Sequence, residues 1–206
     1  LIQVYKDYLS SHNKIMEQML LLHNFEDIIG MLELFPILAY DKLLCGAYTI
    51  TDAVLSSYIS YEKEEKQELI ISLQNTYPIP KQLSYRYNDV YIVITEHITR
   101  IRVPVFEEEL RYFYPNYKDY YYFPAEDTAF HKSVAEFADA KFRQKAKATN
   151  CYTRRHGKFV PQYETVISPE FRHEYKEKLS YFECTEEFCN SKELIRKYVE
   201  HIFDRI

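Results

Sequence analysis

Four groups of residues combine types and spacings that chemistry can use. The first is the polar island His23-Asn24-Phe25-Glu26-Asp27, set between two apolar-rich runs. Asn24 is a good helix N-cap, and Asp27 falls three residues later. From there Phe25, Ile28, Ile29, Leu32 and Phe35 recur at helical spacing and describe one buried face. Asp27 is then held in the first turn of a docked helix, where its carboxylate can reach a metal in a neighbouring cleft. The same spacing also describes a capping box whose acid only complements the helix dipole.

The second group is Glu126-Asp127-Thr128-Ala129-Phe130-His131-Lys132-Ser133. On a helix, Asp127 and His131 stand at i, i+4 and can pair on one face, either for acid–base work or as a cap and its partner. The third is a run of seven cations without a single acid: Lys141, Arg143, Lys145, Lys147, Arg154, Arg155 and Lys158. Clustered cations in an otherwise acidic chain are what phosphate contact requires, because each neutralised phosphate releases a counterion. Tyr152 and Phe159 lie among them and can stack on bases. His156-Gly157 reads as a turn between two extended arms, 147–153 and 158–163, and the run is otherwise a solvated hairpin. The fourth is Cys184-x4-Cys189 with His173 nearby, a loose spacing for zinc that lacks a second pair.

The elements that must position these groups follow from periodicity. Helices are expected at 12–23 and 25–40, split at the polar island, with Pro36 distorting or ending the second. After Gly46 the period turns to alternation. Strands are expected at 48–61 and 67–75, joined by the charged turn 62–66, with Leu69, Ile71 and Leu73 on one face. A meander follows: Leu83, Tyr85 and Tyr87, the two-residue turn Asn88-Asp89, then Val90, Ile92 and Ile94, then Ile101, Val103 and Val105 with Arg100 and Arg102 opposite. Residues 112–123 hold eight aromatics, which cover a core or stack on bases. A helix is expected over 128–142 with Val134, Phe137 and Ala138 inward. A last amphipathic helix over 191–205 starts from a capping box of Asn190 and Glu193. The fold class is therefore α+β: N-terminal helices, a mostly antiparallel sheet and a C-terminal amphipathic helix. Two parts are expected, residues 1–45 and 46–206.

Composition narrows the function classes. Only 3 Gly occur in 206 residues, and neither phosphate-loop pattern, G-x-x-x-x-G-K nor G-x-G-x-x-G, is present. No stretch has the 18 or more apolar residues of a membrane span, so no membrane partner is expected. Four cysteines without a regular framework predict reduced thiols and a cytoplasmic protein.

With those residues laid out, Val4-Tyr5-Lys6-Asp7-Tyr8-Leu9 followed by Leu21-Leu22-His23-Asn24-Phe25-Glu26-Asp27-Ile28 resembles the C-terminal end of a bacterial ribonuclease H-like domain of the DEDD exonuclease superfamily. The resemblance covers about the first 40 residues. It implies that Asp27 is the last of four acids that bind two divalent metals, Mg²⁺ or Mn²⁺. His23 would be the catalytic residue before it, with the spacing of the tyrosine subclass and the residue type of the histidine subclass. Residues 80–165 are similar to the tail that follows such domains in some bacterial proteins. The superfamily's Asp-x-Glu pair is missing, since none of the nine Asp is followed two residues later by Asp or Glu, and the chain begins at Leu1. The expectation is a fragment whose catalytic half lies upstream, inactive and metal-free alone, with an accessory domain that contacts single-stranded DNA or RNA. In the intact protein its N-terminal helices would pack on that upstream half; in the fragment they would dock on the accessory domain or on a second copy of the chain. The alternative, from a different class, is a non-enzymatic domain that recruits a protein partner through its aromatic surface.

Overall fold

The computed structural model describes residues 1–206. It is an α+β fold. The chain opens with a helical hairpin, α1 (Ile2–Ser11) and α2 (Lys14–Leu34), turned at His12, which takes a left-handed conformation with φ 46°. Asn13 is extended, and its side chain accepts from the Ile15 N–H at 2.8 Å. That cap starts α2, so the expected split at the polar island does not occur. Asn24 is helical, and His23 to Asp27 lie in mid-helix. A cap acts only where the chain enters from extended backbone, and nothing between Lys14 and Ile29 interrupts the ladder. Pro36 does end the helix: α2 stops at Leu34, a single 3-10 turn spans Phe35–Ile37, and α3 (Leu38–Leu44) leads Leu43 into the core.

The main sheet has β1 (Tyr48–Ile59), β2 (Glu65–Asn75), β3 (Leu83–Tyr87), β4 (Val90–Ile94) and β5 (Ile98–Phe113), ordered β1-β2-β5-β4-β3 and antiparallel throughout. The alternation anticipated above is realised: Leu69, Ile71, Leu73, Ile92, Ile101 and Val103 are fully buried. Asn88, at φ 50°, and Asp89 form the two-residue turn. The inner face is covered by α6 (Lys192–Phe203), which contributes Ile195, Tyr198, Val199 and Ile202 to the same core. Its cap is Ser191 rather than Asn190, the hydroxyl accepting from the Leu194 N–H at 3.3 Å.

At 16 residues β5 outruns the main sheet. Its second half pairs with β9 (Tyr152–Gln162), which in turn pairs with β10 (Ser180–Glu183), followed by the short α5 (Glu186–Asn190). A separate lobe consists of β6 (Tyr120–Phe123), β7 (Thr128–His131) and β8 (Gln144–Lys145), ordered β7-β6-β8. The helix expected over 128–142 is instead strand β7 and a single helical turn, α4 (Lys132–Ala135). Val134 and Phe137 point outward, 62% and 92% exposed. The aromatics of 112–123 take the covering role: Tyr114, Tyr120 and Tyr122 close over Ala129, Ala146 and Cys151, with Tyr114 and Tyr120 stacked at 4.4 Å. No helix is long and apolar enough to cross a membrane.

Candidate nucleic-acid interface

The seven-cation run is divided between two elements with opposite surroundings. His156-Gly157 is not a turn, because β9 runs unbroken through it. Gly157 instead leaves room for a side chain from the neighbouring strand. A Cβ there would lie 2.8 Å from Glu183 Oε1, and the space it leaves lets that carboxylate reach across to Arg155. Arg155 holds Glu183 through Nε and Nη2, at 3.1 to 3.2 Å. Arg154 Nη1 meets Glu109 at 3.3 Å, and Nη2 donates to the Glu126 carbonyl at 3.1 Å. Lys158 stands opposite Glu107 in the β5–β9 register. The acid-free stretch of sequence is thus laid along the acids Glu107, Glu108 and Glu109 of the neighbouring strand.

The earlier cations have a different setting. Lys141 lies 3.5 Å from Asp139 and 4.7 Å over the Phe142 ring. The Arg143 guanidinium stacks 4.7 Å over Tyr121 and donates to the Ala135 carbonyl, which fixes the lobe's edge. Lys145 and Lys147 are exposed, with no carboxylate within ion-pair distance. In the same segment Phe137 and Phe142 are 92% and 54% exposed. Periodicity missed both rings: the expected helix put Phe137 inside and left Phe142 at its end. The available signal was two Phe five residues apart next to Lys141.

Tyr152 is not free for stacking. It is buried, with the Arg111 guanidinium 4.8 Å over its ring and Phe113 5.3 Å away. Phe159 is fully buried. The Tyr152 hydroxyl donates to Asp127 Oδ1, as does Tyr122 at 2.5 Å. Those two bonds, Tyr122 first, outweigh partial desolvation and hold the Asp127 carboxyl below the usual carboxylate range. The expected Asp127–His131 pair does not form. Asp127 sits in the β6–β7 turn at φ 48°, while His131 Nδ1 bonds the Ser133 hydroxyl at 2.8 Å and caps α4. A strand in place of the helix moves the two side chains out of i, i+4 register. Glu126 contributes its backbone carbonyl, to Arg154.

His23 and Asp27 do meet, at 3.5 Å on the exposed surface of α2. They bring one carboxylate and one imidazole, and no group of three or more His, Cys, Asp or Glu is placed to hold a metal ion. The residues of this chain therefore do not by themselves fit a two-metal centre, which needs several shared carboxylates. Cys184 and Cys189 lie 3.8 Å apart, but His173 is turned away from them, bonded to Glu177 at 3.0 Å and Glu108 at 3.2 Å. Burial opposes charge on His173, yet the two carboxylates raise its pKa above the ordinary value.

A groove of about 770 Å³ lies along β2 and β5, beside Arg86 and Asp89. Glu65, Asp89, Glu107 and Glu108 outnumber Lys66 and Arg86 in its lining, a balance that disfavours a phosphate backbone. Comparison of the chain with protein-family models, curated proteins and solved structures finds no match.

Proposed function

We propose that this chain is the C-terminal portion of a ribonuclease H-like, metal-dependent exonuclease, in which α2 completes an upstream catalytic half and residues 46–206 form an accessory domain that contacts single-stranded nucleic acid. The observation that carries the reading is α2 itself. None of its residues is buried, and Leu21, Leu22, Phe25, Ile28, Met31 and Leu32 are each more than half exposed. By contrast α6 is apolar on one face, and that face is covered by the sheet. The apolar side chains of α2 are not gathered on one covered face, and exposed apolar surface of this extent marks an interface. Asp27 and His23 interrupt that surface together, as a site residue and its neighbour would where the helix faces a cleft.

In the protein that includes an upstream Asp-x-Glu strand, Asp27→Asn should abolish Mg²⁺- or Mn²⁺-dependent hydrolysis of single strands while leaving their binding intact. Undiminished hydrolysis by that variant overturns the assignment. The chain alone should not hydrolyse DNA or RNA with either metal. A second reading, a non-enzymatic module that binds a protein or its own copy, is favoured by the same uncovered hairpin α1–α2. Salt-insensitive association with protein, and none with nucleic acid, would select it.

A further inference from the structure

We infer that the β6-β7-β8 lobe is the surface that holds single-stranded nucleic acid, with Phe137 and Phe142 as base-stacking rings and Lys141, Lys145 and Lys147 as phosphate contacts. The inference rests on the accessory-domain reading above and names its site. Three observations meet in this lobe. First, two Phe rings of this lobe stand in solvent, Phe137 92% and Phe142 54% exposed; outside the uncovered N-terminal helices no other Phe is as exposed. Isolated rings presented singly are what sequence-tolerant stacking uses, since every base offers a π-face. Second, a cation flanks the Phe142 ring, with Lys141 Nζ 4.7 Å from its centroid. Third, Lys145 and Lys147 are exposed and have no carboxylate within ion-pair distance, whereas Lys132 pairs with Asp119 at 3.7 Å and Lys141 with Asp139 at 3.5 Å. Arg154 and Arg155 of β9 are paired with Glu109 and Glu183, and Lys158 stands opposite Glu107, whereas Lys145 and Lys147 have no acid beside them. Phosphates therefore find their uncompensated counter-charge here.

A duplex keeps its base faces stacked, so the rings select single strands. An anionic lipid surface shares the taste for cations and apolar side chains, but it calls for a broad aliphatic face on an amphipathic helix. The lobe offers one helical turn and a single exposed aliphatic side chain of that kind, Val134.

The test uses the whole chain, fluorescence anisotropy, a labelled deoxythymidine oligomer and a duplex of equal length, each at several salt concentrations. Phe137→Ala with Phe142→Ala should weaken the single strand about tenfold or more and the duplex far less. Lys145→Ala with Lys147→Ala should lower the log–log salt slope for the single strand by about 1.4, roughly 0.7 per lost contact. All four side chains are exposed, and thermal melts of both double variants should overlay the wild type. If the oligomer binds the wild type and both double variants with equal affinity and slope, the lobe assignment falls and the accessory-domain reading stands. Should the wild type bind no oligomer at all, both fall. Binding of phosphatidylserine vesicles but not oligomer, lost in the Phe double variant, also overturns the inference and transfers the surface to lipid.

Discussion

Residues 141–147 and 154–158 are one basic run in the sequence and two different surfaces in the molecule. The later half lies in mid-strand, where Glu109 and Glu183 take Arg154 and Arg155 into ion pairs. The earlier half lies on a small lobe, where Lys145 and Lys147 face water and the same segment exposes two Phe rings. Charge density along a chain is therefore a poor measure of charge density in space. An antiparallel register brings a partner strand's acids within reach of every second cation, and a lobe edge has no such partner. The same division applies to the aromatics: Tyr152, in the paired half, is locked under Arg111 and onto Asp127, while Phe137 is free.

The sharpest way to break the comparison is Tyr152→Ala. If Tyr152 is a core ring, as its burial and its bond to Asp127 indicate, urea denaturation should show a loss of about 3 kcal/mol. Unchanged stability with weakened single-strand binding would return Tyr152 to the interface. Next in size is the difference in salt slope. Arg154→Ala with Arg155→Ala should lower it by less than half of the change in the Lys145, Lys147 double variant, because paired cations have fewer counterions to release. Equal changes would erase the distinction between the halves.

Asp127→Asn should cost about 1 kcal/mol at neutral pH, since the tyrosine hydroxyls keep an acceptor but lose its charge. The Asp127 pKa is lowered in the fold, so its contribution is present above the unfolded value, about 3.9, and is lost as pH falls through the lower folded value. The gap in melting temperature between wild type and variant should thus narrow below about pH 4. His173 runs the other way. Its pKa is raised, so the stability it adds by holding Glu108 and Glu177 is full below about 6.5 and fades as pH rises through the folded value. His173→Gln should therefore lower the melting temperature more at about pH 5.5 than at about pH 8.5. The smallest effect belongs to Arg155→Ala, at most about 1 kcal/mol by thermal melting, because Arg155 is more than half exposed in its pair with Glu183.

Much of the scaffold could be read from local pattern. Period-two alternation identified the inward faces of β2 and β5, Asn88-Asp89 identified a hairpin, and Pro36 marked the end of α2. Each depends on residues a few positions apart, and short-range sterics suffice for it. The polar island misled because capping chemistry looks the same in a list of residues whether or not the chain is extended there. Gly157 misled because a glycine that makes room for Glu183 has the same letter as a glycine in a turn. Phe137 misled because a helical period was extended across a segment that Asp127 turns into a strand.

The amino-acid sequence by itself determined the α+β class, the alternating strands, the amphipathic α6 and the presence of an acid-free basic run. Only the tertiary structure decided which of those cations remain unpaired, which aromatic rings face solvent, and that no residue of α2 is buried. Periodicity is a property of near neighbours, whereas neutralisation and burial depend on which distant strands lie side by side. Arg154 meets Glu109 across 45 positions of chain, and no local rule carries that far.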